Sequence, residues 1–328
     1  MIQPQPNISI DESNWRSIPE THRFSHEAMA TTFEIFIVHS DSRYAAQAAW
    51  AAFDELDRLE TELSRFIENS DISRINNLTV NQPLRIGLPA FECLQLSSRI
   101  YDETEGAFDI TIGLLLDCWL GRGDKAGRCP SKEQLNVARQ HTGLHLIELD
   151  EAQHTVNLRT SPIQVDLGGI GKGYAIDQMA RLLRDWSIDI ALIHSGCSSV
   201  LALAAPPRTK GWPLTLSNPG GHKQILASLY LRDRALSGSG LQKGRHIIDP
   251  RTARPVEGKL AAWACAPTAA MADALSTAFM AMSPNQIKQY CLRHSDTLAM
   301  VLVGELCGEV QEDKVLRFGP WRDTGLIK

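Results

Sequence analysis

Residues 165–177 combine opposite charges and glycines at a point where the chain changes structure. An apolar strand ends at Asp166, four glycines occupy the six positions from 168 to 173, and an amphipathic helix follows. Glycine lets backbone amides approach a ligand closely, and the N-terminus of a helix favours a phosphate group. Asp166 and Lys172 add a negative and a positive charge here, so this stretch favours binding of a phosphate-containing ligand.

Neither of two common phosphate-binding motifs matches this stretch. A P-loop requires glycine where Asp166 stands, and Ser or Thr where Gly173 stands. The G-x-G-x-x-G pattern fails because the frame that begins at Gly171 ends in Ile176. A glycine-rich turn that only allows two elements to pack closely remains the alternative interpretation.

A second pair of chemically capable residues is Asp273 and Thr277. They are separated by four positions in an alanine-rich segment, so they share one face of a predicted helix. A poorly solvated carboxylate and hydroxyl need a partner, and a hard cation such as Mg²⁺ takes oxygen ligands. The alternative is that Asp273 accepts a bond from a nearby backbone amide and Thr277 bonds to the preceding turn.

Other candidate residues have weaker local signals. His246 precedes an Asp-Pro turn and could act as a general base or a phosphate donor, or be a structural histidine. Phe108 beside Asp109 suits a planar heterocycle with an N–H edge, although a loop cap fits the carboxylate as well. Met29 and Phe66 could equally be core residues.

Helices and strands of mixed order must position these residues. Apolar spacings of three and four predict helices at about residues 42–63, 90–104, 131–140, after 171, 268–282 and 284–293, and a short capped helix at 70–76. Strands are predicted near 30–38, 145–149, 154–158, 162–166, 190–193, 199–204, 213–217, 224–231, 261–266 and 298–303. Those from 199 to 231 are expected to form an antiparallel meander, and 235–240 a flexible turn. Without strict βαβ repetition, the predicted fold class is α+β with mixed sheets.

Composition excludes several classes of protein. The 328 residues are 43% hydrophobic and carry a net charge of −5 without a long basic run, so we expect no nucleic-acid partner. No apolar run approaches the roughly 20 residues of a transmembrane helix. The N-terminus has no signal-peptide pattern, and the seven cysteines are scattered. We therefore expect a cytoplasmic location, and an exported form would require a leader removed beforehand.

Taken together, these segments resemble the ApbE family of FAD:protein FMN transferases over about residues 26–305. The matching pieces, in chain order, are MATTF at 29–33, LSRF at 63–66 with SDISRIN at 70–76, GAFDITIG at 106–113, VDLGGIGKGYAID at 165–177, HIIDPRT at 246–252 and ADALSTA at 272–278. Six pieces in the family's order form a specific signal.

The resemblance implies a fold and an activity. It implies a two-lobed fold with an FAD cleft between the lobes, formed by a single domain over residues 26–328 after an N-terminal surface tail over 1–25. The implied enzyme uses Mg²⁺ to transfer FMN from FAD to a Ser or Thr hydroxyl of an acceptor protein, such as a flavin-carrying redox subunit, and releases AMP. An FAD pyrophosphatase that yields FMN and AMP, or an FAD-binding protein without turnover, remains an alternative.

The resemblance also implies roles for individual residues. Asp273 and Thr277 would bind Mg²⁺ through their side chains, and Gly169 through its carbonyl. His246 would lie beside the diphosphate and, with Asp273, form the catalytic pair. The residues implied to line the FAD site are Met29, Phe66, Ala107, Phe108, Asp109, Asp166, Lys172 and Ile247.

The sequence departs from the family pattern at two turns and one motif. Ala30 stands where the family usually has glycine, and Gly196-Cys197-Ser198 replaces the usual Gly-Gly-Asn or Gly-Gly-Asp. The family often has Thr-Ser-Gly where this sequence has Leu236-Ser237-Gly238. Ser239-Gly240 follows at a place where an aromatic residue is common in the family. These changes bear on turnover and acceptor choice more than on FAD binding.

Overall fold

A computed structural model describes residues 8–10, 15, 17–121, 129–219, 225–241, 244, 246–304 and 314–321. Most of the predicted loop at 121–130 therefore lies outside the described residues. Among the helices that are described, none is long and apolar enough to cross a membrane.

The chain divides into two compact units, each built from separate stretches of sequence. Unit 1 comprises Met1–Arg58, Lys172–Gln242 and Gly258–Lys328, and unit 2 comprises Leu59–Gly171 and Lys243–Glu257. The boundaries between the two units fall at 58/59, 171/172, 242/243 and 257/258, and the single domain over residues 26–328 stays a prediction.

Unit 1 is organised around an eight-stranded antiparallel sheet. Its strands, in spatial order, are β16 (Lys314–Phe318), β15 (Leu298–Val303), β14 (Lys259–Ala266), β11 (Arg234–Gly240), β8 (Ser199–Ala202), β7 (Ala191–Ser195), β3 (Thr31–Val38) and β2 (Thr21–Ala28). Every neighbouring pair is antiparallel. Apolar side chains of one face, including Phe36 and Trp263, form the large core together with Trp212, which lies outside this sheet.

A small antiparallel sheet completes unit 1 and corrects the predicted tail. Strand β9 (Trp212–Ser217) pairs on one side with β1 (Ile8–Ile10) and on the other with β10 (Ile225–Leu231). Ile8 is fully buried in the core, and β2 also begins before residue 26. The described part of residues 1–25 is therefore packed structure, because its isoleucines supply core surface.

Strand β11 corrects two further predictions. Residues 235–240 form a central strand, paired with β8 and β14, where a flexible turn was predicted. The predicted meander is confirmed only for β9 and β10, which pair antiparallel in the small sheet, and is wrong for β8, which pairs with β7 and β11. Small residues suit this strand, since a Cβ at Gly238 would lie 2.7 Å from the Trp263 ring.

Besides most of the helix Ser42–Leu63, which ends in unit 2, three described helices belong to unit 1. They are α6 (Gly171–Asp185), whose first residue ends unit 2, α7 (Ala269–Ala281) and α8 (Pro284–Arg293). Thr268 caps α7 through a bond from the amide of Met271, and Ser283 begins α8 with a reciprocal capping box. Helix α7 packs on β11 and β14 with most of its residues buried. Its buried polar side chains therefore need hydrogen-bond partners from neighbouring elements.

Unit 2 is mainly helical. Helix α1 (Ser42–Leu63) ends in it, and it contains α2 (Asp71–Asn76), α3 (Leu88–Glu103), α4 (Gly113–Leu120) and α5 (Lys132–Gln140). One sheet of this unit has three strands in the order β4 (Leu84–Arg85), β6 (Thr155–Leu158) and β5 (Ile147–Asp150). A second sheet pairs β12 (Ile248–Asp249) with β13 (Arg254–Pro255). The predicted caps Ser70 and Ser131 are confirmed. The predicted strand at 162–166 is reduced to one bridge from Ile112 to Gln164.

Candidate functional site

The carboxylate of Asp273 is the centre of a buried polar cluster in unit 1. It is 3% exposed. One oxygen, Oδ2, accepts a bond from the Gly173 amide at 3.2 Å and lies 3.7 Å from the Lys172 ammonium. The other oxygen, Oδ1, lies 3.2 Å from the Ser199 hydroxyl and 3.1 Å from the Ser237 hydroxyl. Both carboxylate oxygens therefore have polar neighbours within the fold.

Further hydroxyls continue this cluster along α7. Ser239 Oγ lies 2.8 Å from Ser276 Oγ and 3.1 Å from Thr277 Oγ1. Ser276 and Thr277 each donate to the Asp273 carbonyl, at 2.9 and 3.4 Å. Strand β11 thus presents hydroxyls to the face of α7 that carries Asp273.

Both hydrogen bonds expected under the structural alternative for Asp273 and Thr277 are present. Asp273 accepts from a backbone amide, and Thr277 bonds to the preceding turn. These two hydrogen bonds are compatible with a bound cation, because a carboxylate and a hydroxyl retain further lone pairs. Among the described residues no group of three or more His, Cys, Asp or Glu could hold a metal. Any cation here would therefore depend on hydroxyl, carbonyl and water oxygens around one carboxylate, a set that Mg²⁺ accepts.

The glycine-rich stretch brings α6 against α7. A Cβ at Gly173 would lie 2.2 Å from the Ala269 carbonyl oxygen, so only glycine fits there. Asp177 of α6 accepts bonds from the amides of Ala269 and Ala270 at 2.8 and 2.9 Å, and burial raises its pKa to about 6. The close-packing interpretation is thus correct for Gly173, and these contacts fix the start of the helix that carries Asp273.

Two turns of unit 1 contain the departures from the family pattern. Met29 and Ala30 form the β2–β3 turn with φ of 49° and 58°, a region that favours glycine, so Ala30 is strained where glycine is usual. Gly196 has φ 52°, and a Cβ there would lie 2.3 Å from Thr31 Oγ1. The Ser198 carbonyl accepts bonds from the Gly238 amide and the Ser237 hydroxyl, so the altered turn is fixed to β11.

Phe66 and Asp166 are linked through an arginine in unit 2. Arg65 Nη1 lies 3.1 Å from Asp166 Oδ2, and its guanidinium carbon lies 5.0 Å from the centre of the Phe66 ring. Asp166 also accepts from the Gly168 amide at 2.7 Å. Phe66 is 84% exposed, so it is not a core residue.

The segment at 107–109 lies beside Asp166 in the same unit. The Asp166 amide donates to the Ile110 carbonyl at 2.7 Å. Ala107 and Phe108 are buried, and the carboxylate of Asp109 accepts from the amide and hydroxyl of Thr111. Burial raises the pKa of Asp109 to about 6 despite these bonds. Asp109 therefore caps its loop, as one of the two interpretations predicted.

His246, Ile247 and Gly169 are the remaining predicted residues of unit 2. His246 Nδ1 lies 3.0 Å from the Gly244 carbonyl. A carbonyl only accepts, so this contact is a hydrogen bond when Nδ1 carries a proton, and a neutral imidazole of that tautomer has its lone pair on Nε2. Ile247 is buried, and its carbonyl accepts from Val256. Gly169 lies in the turn before α6.

The structure thus divides the predicted residues into two groups. Unit 1 contains Met29, Lys172, Asp273 and Thr277, of which the last three are joined by the contacts above. Unit 2 contains Phe66, Ala107, Phe108, Asp109, Asp166, Gly169, His246 and Ile247. Their assignment to FAD and metal binding stays a prediction. Sequence reasoning missed Ser199, Ser237, Ser239 and Arg65. Only the serine-rich string at 237–239 and the position of Arg65 inside a matching motif could have indicated them.

Comparison with known proteins identifies relatives that are FAD:protein FMN transferases. The chain is 26% identical over 298 residues to the FAD:protein FMN transferase of Salmonella typhimurium, which covers 87% of this chain and 85% of that protein. It is 29% identical over 287 residues to the FAD:protein FMN transferase of Chlamydia trachomatis, covering 80% and 86%.

Solved structures with the same fold confirm the predicted fold class. The ApbE protein of Thermotoga maritima has a TM-score of 0.81 at 22% identity, covering 93% of this chain and 99% of that chain. The flavin transferase ApbE of Vibrio cholerae has a TM-score of 0.81 at 21% identity with the same coverage. The model of the ApbE family matches residues 29–302, and the chain therefore belongs to the ApbE family.

Proposed function

We propose that this protein is a Mg²⁺-dependent transferase that moves FMN from FAD to a Ser or Thr hydroxyl of an acceptor protein and releases AMP. Its membership of the ApbE family and the names of its relatives support flavin transfer. The observation that carries the rest is the buried Asp273 carboxylate, surrounded by hydroxyls and by the Lys172 ammonium. An ionised carboxylate among oxygen donors suits a cation that binds a diphosphate.

The donor set fits Mg²⁺ in its chemistry. Asp273 and Thr277 would hold it through side-chain oxygens, with waters and phosphate oxygens completing the shell. When bound, it neutralises negative charge on the diphosphate as the bridging bond breaks. Lys172 adds a second positive charge beside the same carboxylate, and this charge is part of the protein itself.

The transfer balances as a substitution at phosphorus. The acceptor oxygen forms a bond to the phosphorus on the flavin side of FAD, and the bond from that phosphorus to the bridging oxygen breaks. AMP leaves with the bridging oxygen and the electron pair, and the acceptor hydroxyl gives up its proton. His246 Nε2 is the candidate acceptor of that proton, because the Gly244 carbonyl places the ring proton on Nδ1.

Mass spectrometry tests the proposal directly. The purified protein is incubated with FAD, Mg²⁺ and a panel of Ser- and Thr-containing acceptor peptides, while AMP is quantified. We expect a peptide carrying the added mass of FMN and an equimolar amount of AMP. Free FMN with AMP would instead indicate a pyrophosphatase, and FAD binding without AMP would indicate a storage protein. Undiminished transfer by Asp273→Ala would contradict the metal assignment.

A further inference from the structure

The exposed ring of Phe66 is supported from one side by the side chain next to it. Phe66 is 84% exposed, whereas a large apolar ring is normally covered. The Arg65 guanidinium carbon lies 5.0 Å from the ring centre, within cation–π range. One face of the ring is thus held by a planar cation, and the ring remains open to a ligand.

The backbone beneath Phe66 is fixed by serines. Ser70 Oγ donates to the Ser64 carbonyl at 2.6 Å, and Ser73 Oγ donates to the Arg65 carbonyl at 3.1 Å. The Phe66 amide donates to Ser64 Oγ at 3.3 Å. The loop that carries the ring is therefore attached to the first turn of α2, so ring exposure is not a consequence of a loose loop.

Arg65 is half-buried, and its guanidinium retains hydrogen-bonding capacity. Its side chain is 16% exposed, and Nη1 lies 3.1 Å from Asp166 Oδ2. Within the described part of the chain, Nε and Nη1 are buried and make no hydrogen bond of good geometry. The contact with Asp166 is thus an ion pair, and the guanidinium still has N–H groups to donate. A buried guanidinium in this condition favours a ligand with acceptor oxygens.

We propose that Arg65 is a positioning residue for flavin binding, a role that rests on the proposed function. Its guanidinium holds the Phe66 ring as a platform on which a planar ring system of FAD stacks. The same guanidinium fixes the orientation of the Asp166 carboxylate through the ion pair. Arg65 thereby couples an aromatic contact and a polar contact within unit 2, and substituting it weakens FAD binding through Phe66.

Lysine would replace only part of this function. It retains the positive charge opposite Asp166, but it lacks the planar surface that stacks on the ring. The Arg65→Lys variant therefore separates the two contacts, whereas Arg65→Met removes both. A residue that acted only in folding would lower stability without changing the dependence of FAD affinity on Phe66.

The test is a double-mutant cycle on FAD affinity. The dissociation constant is measured by flavin fluorescence for the wild type, Arg65→Met, Arg65→Lys, Phe66→Leu and the double variant Arg65→Met/Phe66→Leu. Loss of one stacking contact should raise the constant about 3- to 10-fold. We expect the double variant to bind FAD about as weakly as Arg65→Met alone, because the ring has already lost its support in that variant, and Arg65→Lys to have a constant between those of the wild type and Arg65→Met.

The control is Arg159→Met, which breaks an exposed ion pair with Glu148 in the same unit. It should leave the constant unchanged, and urea unfolding should show that all variants are folded. The inference is overturned if Arg65→Met binds FAD as the wild type does, or if the two substitutions have fully multiplicative effects. If the wild type transfers flavin normally in that case, the proposed function stands. If the wild type binds no FAD, both fail.

Discussion

The Lys172 ammonium lies 3.7 Å from Oδ2 of Asp273, at the start of α6 and in the middle of α7 respectively. This contact places a positive charge beside a carboxylate that is almost inaccessible to water. A buried carboxylate without a cation is unfavourable, so Lys172 compensates the charge in the protein without metal.

Lys172→Met should lower the free energy of unfolding by about 1–2 kcal/mol when measured with urea in EDTA. The reason is that Asp273 then has only neutral donors. Added Mg²⁺ should stabilise the variant more than the wild type, since a cation replaces the missing charge. Lys172→Arg, which keeps the charge, should resemble the wild type. Equal stability of Lys172→Met and wild type in EDTA would contradict the role of this ion pair.

Thr277→Val should reduce the rate of flavin transfer by about 100-fold or more, because it removes a hydroxyl from the proposed cation site without changing the side-chain shape. Thr277→Ser retains the hydroxyl and should stay within a few-fold of the wild type. Steady-state rates of AMP release with FAD and an acceptor peptide measure the difference. Similar rates for the two variants would remove Thr277 from the proposed metal ligands.

Gly173→Ala should destabilise the protein by about 1–3 kcal/mol, because its Cβ would lie 2.2 Å from the Ala269 carbonyl oxygen. Gly171→Ala is the matched control, since a Cβ there would meet only the Leu167 Cβ, at 3.5 Å. It should be neutral or slightly stabilising, as alanine favours helix more than glycine does. Thermal unfolding of the wild type and both variants measures the difference in stability. If Gly173→Ala is as stable as the wild type, α6 and α7 are not so closely packed.

The stability of the flavin-free protein should fall as pH rises from about 4 to 6. Burial raises the pKa of Asp109 from 3.8 to about 6, so in this window the folded state binds more protons than the unfolded state. The full shift corresponds to about 3 kcal/mol. In Asp109→Asn this part of the pH dependence should disappear, while the part from Asp177 remains. Urea unfolding at pH 4 and pH 7 tests this, and an unchanged difference between the two pH values would contradict it.

Local signals in the sequence were enough to predict most helices. Ser70, Ser131 and Thr268 begin helices as predicted because each side chain caps an amide three residues on. Helix α1 was predicted with its observed bounds from the spacing of its apolar residues. These signals act within one turn of helix, so they can be seen without the rest of the fold.

The elements that were missed depend on distant partners. Strand β11 is rich in serine and glycine, and only its position between β8 and β14 makes it a strand. Ser199 and Ser237 reach Asp273 from 74 and 36 positions away, so no local spacing reveals them. The motif resemblance identified Asp273 and Thr277 as candidates, but not the serines that orient the carboxylate.

The chain order of the large sheet has a consequence for biosynthesis. Strands β14 and β15, which complete the sheet next to β11, come from the last 71 residues of the chain, 258–328. On the ribosome, β11 has an unpaired edge until these residues emerge, and an open edge is a site of unwanted strand pairing. Helix α7, which carries Asp273, emerges in the same last stretch. A C-terminally truncated product would therefore lack the Asp273 carboxylate and expose the edge of an interior strand, which makes it prone to aggregate.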